Sequence, residues 1–284
     1  MTDDPALTRP DQGVVGELQH DRHIGDLDLT HWYTPLGRGL ERLVRAIARR
    51  VGPNLTLVLS LAIGMIAVIT LTALAAEVYD AVTEADGVAG LDHPLLAYAL
   101  TLRSPALDAV VTSYTDIAGV VGMPVLAVAI MLMLALRRRS WTPVILILAA
   151  GTGSLLMTIA GKELIGRNRP ELADAVPPYE YSPSFPSGHS LNAIVIAGIV
   201  AYLLILRQRS KRARTLTITI ALLFALTIGL SRVYLGHHWF TDVLAAWALG
   251  AAWLALVITA HRLYLTIRHR GPASLKATRP TATR

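Results

Sequence analysis

The 284-residue chain contains no cysteine. That excludes a disulfide framework, a thiolate nucleophile and a cysteine-ligated zinc or iron–sulfur site. The chain is also poor in charge: Asp, Glu, Lys and Arg make up 16% of its residues, where ordinary globular domains carry about 25%. Hydrophobic residues supply 53% and the mean hydropathy is +0.49. Intrinsic disorder, which requires a polar and charge-rich chain, is therefore excluded too.

Charge is scarcest in six apolar segments, residues 55–76, 120–136, 144–161, 191–206, 216–233 and 243–260. Each comes close to the ~20 residues that cross the hydrocarbon core as a helix. Buried helices of a soluble bundle would carry polar stripes at 3.6-residue spacing, and these segments do not. The expected fold class is all-α, an integral membrane bundle of six transmembrane helices. Residues 1–30 are polar and acidic, lack the apolar stretch of a signal peptide, and read as a loosely ordered tail. The expected layout is an N-terminal tail at 1–54, a six-span domain at 55–261 and a basic C-terminal tail at 262–284.

Lys and Arg set the orientation. Nineteen of the 26 basic residues lie in four stretches: before the first span, between the second and third, between the fourth and fifth, and after the sixth. Both termini are thus expected to be cytoplasmic, and the net charge of +6 is a topology signal. No nucleic-acid-binding motif accompanies these scattered basic loops, so no nucleic-acid partner is expected. Within 36–51, apolar residues at Leu36, Leu40, Leu43, Val44, Ile47 and Val51 alternate with arginines, giving an amphipathic helix suited to an anionic leaflet. A plain cytosolic extension of the first span accounts for the same pattern. The outer connection, residues 77–116, holds seven acids and one Arg. Asp92 before Pro94 and Ser104 before Pro105 mark two helix starts there.

Arg9 and Arg22 lie in the N-terminal tail on the cytoplasmic side, so only Arg103, Lys162, Arg167, Arg169 and Arg232 remain for the outer side. Lys162 ends the third span and Arg232 the fifth. On the same face lie Pro186-Ser187-Gly188-His189, opening the fourth span, and His237, His238 and Asp242, opening the sixth. Ionisable groups at membrane depth are costly and point to function. Guanidinium groups grip phosphate oxygens in pairs, and the backbone N–H groups at Ser187 and Gly188 can face an anion. His238 and Asp242, four apart, would share a helix face, the carboxylate orienting the imidazole as a nucleophile. His189 is free to act as a general acid. These are the parts for phosphoryl transfer through a phosphohistidine, with cations in the place of a metal. A His/His/Asp metal site is the alternative, but the neighbouring cations oppose it.

The motifs resemble those of the type 2 phosphatidic acid phosphatase (PAP2) superfamily. Lys162 through Arg169-Pro170 matches its Lys-x6-Arg-Pro, Pro186 through His189 its second motif, and Ser231-Arg232 through His238 and Asp242 its third, Ser-Arg-x5-His-x3-Asp. The resemblance implies a PAP2/haloperoxidase-like catalytic core with His238 as nucleophile, Asp242 as its orienting partner and His189 as the acid. Lys162, Arg169, Ser187, Gly188 and Arg232 would form the phosphate cradle, with no metal and no cofactor. His237 and Arg167 fill variable positions and receive no role beyond a headgroup contact for Arg167, and Trp239 reads as an interfacial anchor. The implied activity is a membrane lipid phosphate phosphatase. Its substrate would be phosphatidic acid, phosphatidylglycerol phosphate or a polyprenyl diphosphate, among which the motifs do not choose. Its site would face outward, on the periplasmic side if the alanine- and arginine-rich usage marks a high-GC bacterium. The competing readings are a phosphotransferase to a sugar or lipid acceptor, a soluble vanadate haloperoxidase, which six spans oppose, and a non-catalytic lipid-binding or transport protein.

Overall fold

The computed structural model describes residues 21–52, 55–56, 63–64, 66, 70 and 88–269. A small antiparallel hairpin, β1 (His23–Ile24) and β2 (Leu27–Asp28), precedes helix α1 (Pro35–Val51). Seven further described helices follow: α2 (Asp92–Thr101), α3 (Pro105–Thr115), α4 (Gly122–Arg138), α5 (Thr142–Ile165), α6 (Gly188–Ile205), α7 (Lys211–Tyr234) and α8 (Phe240–His269). Thr34 caps α1 by accepting from the Gly37 amide at 3.0 Å.

Helices α5 to α8 are long and apolar enough to cross a membrane, and α3 with α4, bent by 48° at a short break, would make a fifth span. These correspond to the last five expected segments. The first, 55–76, lies outside the described residues except at six positions, as do residues 77–87 of the outer connection. Large apolar side chains such as Val121, Leu136, Leu216, Ile220 and Leu223 point away from the bundle. In water such a surface would aggregate; in lipid it is matched. The chain is a multi-pass membrane protein.

Lipid offers helices no hydrophobic drive to associate, so close packing must hold them. Helix α6 is central, packing on α5, α7 and α8. Helix α8 inserts its bulk where the neighbours carry glycine. Trp253 fills the space beside Gly153 of α5, Leu254 that beside Gly198 of α6, and Trp247 that beside Gly229 of α7.

The expectation of a loose tail fails for residues 21–30. Asp21 is fully buried and accepts from Arg207 Nε at 2.6 Å, with Arg138 Nη1 at 3.5 Å from its other oxygen. Leu29 is buried, its carbonyl receives Arg262 Nε at 3.0 Å, and the Arg262 guanidinium lies 4.5 Å from the centre of the Trp32 ring. The polar composition that suggested looseness is here counter-charge for arginines on the bundle end.

A side chain added at Gly153 would stand 2.2 Å from the Trp253 ring. Gly153→Val is therefore expected to force α5 off α8 at a cost of about 1–3 kcal/mol, read as a lowered unfolding temperature in detergent.

Candidate active site

Three chain reversals at one end of the bundle build the site. Helix α5 ends at Gly166, whose φ of +62° suits glycine and whose amide donates to the Lys162 carbonyl at 3.1 Å. Between α7 and α8 the turn is made by Gly236, with φ of +70°; a Cβ there would lie 2.1 Å from the Asp174 carbonyl oxygen, so no other residue fits. The His237 and His238 amides fold back onto the Arg232 carbonyl at 3.0 and 3.3 Å. Before α6, Ser187 is the N-cap, its hydroxyl accepting from the Ser190 amide and paired with Ser190 Oγ at 2.8 Å. Its hydroxyl is thus engaged in capping, and what this segment offers an anion is backbone N–H. Gly188 lets α6 approach Thr158 of α5.

The expected residues converge. Lys162 Nζ donates to Ser182 Oγ at 3.0 Å and to the Pro183 carbonyl. Arg169 donates to the carbonyls of Ser182 and His237, and its Nη1 lies 3.2 Å from His238 Nε2. A guanidinium can only donate, so Nε2 is the unprotonated nitrogen and the proton sits on Nδ1. That tautomer leaves Nε2 with the lone pair a nucleophile needs. Burial, aided by Arg169 and Arg232, lowers the His238 pKa to about 4 against the pull of Asp242. The ring is therefore neutral near pH 7.

His238 and Asp242 do not share a helix face. Helix α8 starts only at Phe240, and His238 lies in the turn before it. Asp242, in the first turn, reaches back to accept from the Trp239 amide at 3.0 Å, half of a capping box. This places its Oδ2 3.6 Å from His238 Nδ1. Ser184 Oγ bridges the gap, 2.5 Å from Oδ2 and 3.4 Å from Nδ1.

Sequence reasoning missed the layer behind Asp242. Arg167 donates to Asp242 Oδ1 at 2.6 Å and to Asp92 Oδ2 at 2.8 Å. Asp92, at the start of α2, also accepts from the Thr241 amide at 2.8 Å and from Thr241 Oγ1 at 2.7 Å. It caps α8 from another helix, because Trp239 at the N-cap position has no side-chain acceptor to do so. Trp239 is not a free interfacial anchor: its indole donates to the Asn168 carbonyl at 2.9 Å and its ring packs on His93 and Arg167. His237 is held by the Val176 carbonyl at 2.7 Å. The only signal in the sequence was that Arg167 is one of five basic residues on the outer side; Asp92, one of seven acids in 77–116, carried none.

Glu180 was also missed. Its carboxylate bridges Arg232 Nη2 and Arg169 Nη2, the latter at 2.8 Å. With Lys162, His189 and His238 it lines a cavity of about 750 Å³ whose far walls are apolar side chains of α4, α5 and α6, among them Met123, Ala127, Leu155 and Ile196. One end of the cavity is cationic and histidine-rich, the rest alkyl-lined. The structure thus defines a class: a membrane-embedded site for an amphiphile with an anionic head, equipped with a neutral, oriented histidine.

Comparison with known proteins agrees. Residues 142–264 match the PAP2 superfamily. Phosphatidylglycerophosphatase B of Bacillus subtilis (strain 168) is 37% identical over 174 residues, which is 61% of this chain and 84% of that protein. The crystal structure of the transmembrane PAP2 type phosphatidylglycerolphosphate phosphatase from Bacillus subtilis matches with a TM-score of 0.58 at 30% identity, covering 69% of this chain and 92% of that one. The chain belongs to the PAP2 superfamily, and it is a membrane lipid phosphatase.

Removing the Arg167 side chain's hydrogen bond frees Asp242 to rotate. Arg167→Gln is expected to lower kcat about tenfold to a hundredfold, the loss typical of groups that orient a functional histidine, with little change in KM. It should also move the acid limb of the pH–rate profile upward, because an unpaired Asp242 stabilises protonated His238. Steady-state kinetics between pH 4 and 8 checks both.

Proposed function

We propose that this protein hydrolyses the phosphomonoester of phosphatidylglycerol phosphate, releasing inorganic phosphate and phosphatidylglycerol. The observation that carries the reading is the neutral His238, with Nε2 facing the cations and Nδ1 facing Ser184 and Asp242. The choice among lipid phosphates rests on the two Bacillus subtilis relatives, whose names specify that substrate.

In the proposed reaction, Lys162, Arg169, Arg232 and the amides at the start of α6 hold the phosphate oxygens. Positioned charge of this kind is the main catalytic contribution in phosphoryl transfer. His238 Nε2 attacks phosphorus while the bond to the lipid oxygen breaks, and His189 gives that oxygen its proton. Asp242 stabilises the charge that develops on the His238 ring. Water then attacks the phosphohistidine, His189 takes its proton, the P–N bond breaks and phosphate leaves. No step draws on a metal or cofactor. The alkyl-lined part of the cavity suits the acyl chains.

We further propose that 1–54 and 262–284 are cytoplasmic segments flanking a membrane phosphatase domain at 55–261, with the site on the outer, periplasmic side. The support is that Arg138, Arg207 and Arg262 gather at the end of the bundle opposite His238, as the inside preference of basic residues requires.

His238→Ala is expected to abolish phosphate release from phosphatidylglycerol phosphate by purified protein in detergent with EDTA, and Asp242→Asn to leave a slow residual rate. Near-normal turnover by His238→Ala would overturn the phosphohistidine route. A preference for phosphatidic acid or undecaprenyl diphosphate in the same assay would overturn the substrate. For orientation, a cysteine introduced at Ser182 should react with an impermeant thiol reagent added outside intact cells, and one at Arg137 should not.

A further inference from the structure

Glu180 is the only acid among the described residues lining the cavity, and it occupies the cations that a phosphate needs. Its two oxygens bridge Arg169 and Arg232 as two phosphate oxygens would. Burial would raise its carboxyl, but Arg232, His238 and Arg169 outweigh that and hold it at about 2, so the bridge is charged at any working pH. The two partners differ in freedom. Arg232 is 2% exposed and built into α7, while the Glu180 side chain is 30% exposed on the connection between α5 and α6. Beside the bridge, Arg232 Nε is buried with no hydrogen-bond partner among the described residues. The cradle thus holds an internal anion and has a donor to spare for a larger one.

A cationic cradle open to a bilayer meets phosphodiester headgroups at very high local concentration. A phosphodiester carries one negative charge, the same as Glu180. Exchanging one for the other gains no Coulomb energy and forfeits the advantage of an anion already tethered in place. A phosphomonoester carries about −1.5 to −2 near pH 7, and its third terminal oxygen can use the Arg232 Nε donor that the carboxylate leaves empty. Building on the phosphatase reading, we propose that Glu180 is the resident anion of the phosphate cradle and sets a charge threshold for entry. A phosphomonoester headgroup displaces it, and the phosphodiester headgroups of bulk lipids do not. Glu180 is thereby a specificity-determining residue that leaves the cradle as substrate arrives.

The test uses Glu180→Gln, which keeps the shape and removes the charge, with Glu180→Ala beside it. Two probes suffice: inorganic phosphate, and phosphatidylmethanol, a monoanionic phosphodiester lipid, in mixed micelles. In anion-free detergent both variants should unfold at a lower temperature than wild type, because Arg232 loses its counter-ion. Phosphate should restore them, with an apparent Kd at least tenfold below that of wild type. Phosphatidylmethanol should leave wild-type phosphate release unaffected and become a competitive inhibitor of Glu180→Gln, raising KM. A role confined to holding the loop predicts loss of stability with no gain in phosphate affinity. That outcome, or equal inhibition of wild type and variant, would overturn the inference. The phosphate titration reads binding by unfolding and needs no turnover. Wild type that neither binds nor releases phosphate would count against the phosphatase reading itself, whereas unchanged affinity in a variant of an active enzyme counts only against Glu180.

Discussion

Cations cannot be gathered at the end of an apolar helix bundle without anions to balance them. The effective cost of burying one unpaired ion is several kcal/mol, and this site brings Lys162, Arg167, Arg169 and Arg232 together. Three carboxylates answer them. Glu180 bridges Arg169 and Arg232, and Asp242 and Asp92 share Arg167. Each arrives from a different part of the chain, so the local geometry follows from where these acids can be anchored. Asp242 is fixed by helix capping, Asp92 by the first turn of α2, and Glu180 by nothing beyond the cations themselves. The order of rigidity matches the proposed roles: the anion beside His238 is held hardest, and the one proposed to yield to substrate is held least.

The same balance explains what could be read from the sequence. Lys162, Arg169, His189, Arg232, His238 and Asp242 were legible because the phosphoryl transfer proposed for them dictates residue type, and each lies at or near a helix end on the same face. Their supports were not. Asp92 reads as the start of its own helix, which it is, yet its side chain serves α8, 149 residues away. Arg167 lies inside a recognisable motif at a position where any residue is allowed, and only the folded contact with Asp242 gives it a purpose. Ser184 looks like one more polar residue in a turn until its hydroxyl is found between His238 and Asp242. The four-residue spacing of that pair suggested a shared helical face, but the proximity comes from a turn and a cap. Helical periodicity and capping can produce the same spacing, and only the position of the first helical residue separates them.

The fold was legible wherever hydropathy alone decides, which is the case for α5 to α8. It was less so where a segment is apolar but shorter than the bilayer. Helix α4 has 17 residues, and the bend before it allows α3 to continue the same path. Nor could hydropathy anticipate the lock between bulky α8 side chains and glycines of α5, α6 and α7. A glycine in an apolar run looks like a weakness by helix propensity. Its value lies in the neighbour that fills the vacancy, and that neighbour is set by tertiary packing.

The N-terminal hairpin carries a consequence for the order of assembly. Asp21 meets Arg138 and Arg207, the Leu29 carbonyl meets Arg262, and Trp32 meets Thr266. All these partners are synthesised after the hairpin itself, the last of them at the far end of the last described helix. The earliest described segment to leave the ribosome therefore waits for the latest, and it engages only once α4, α6 and α8 stand side by side. The hairpin is a clasp that fastens on a completed bundle, and its closure records that every helix between has found its place.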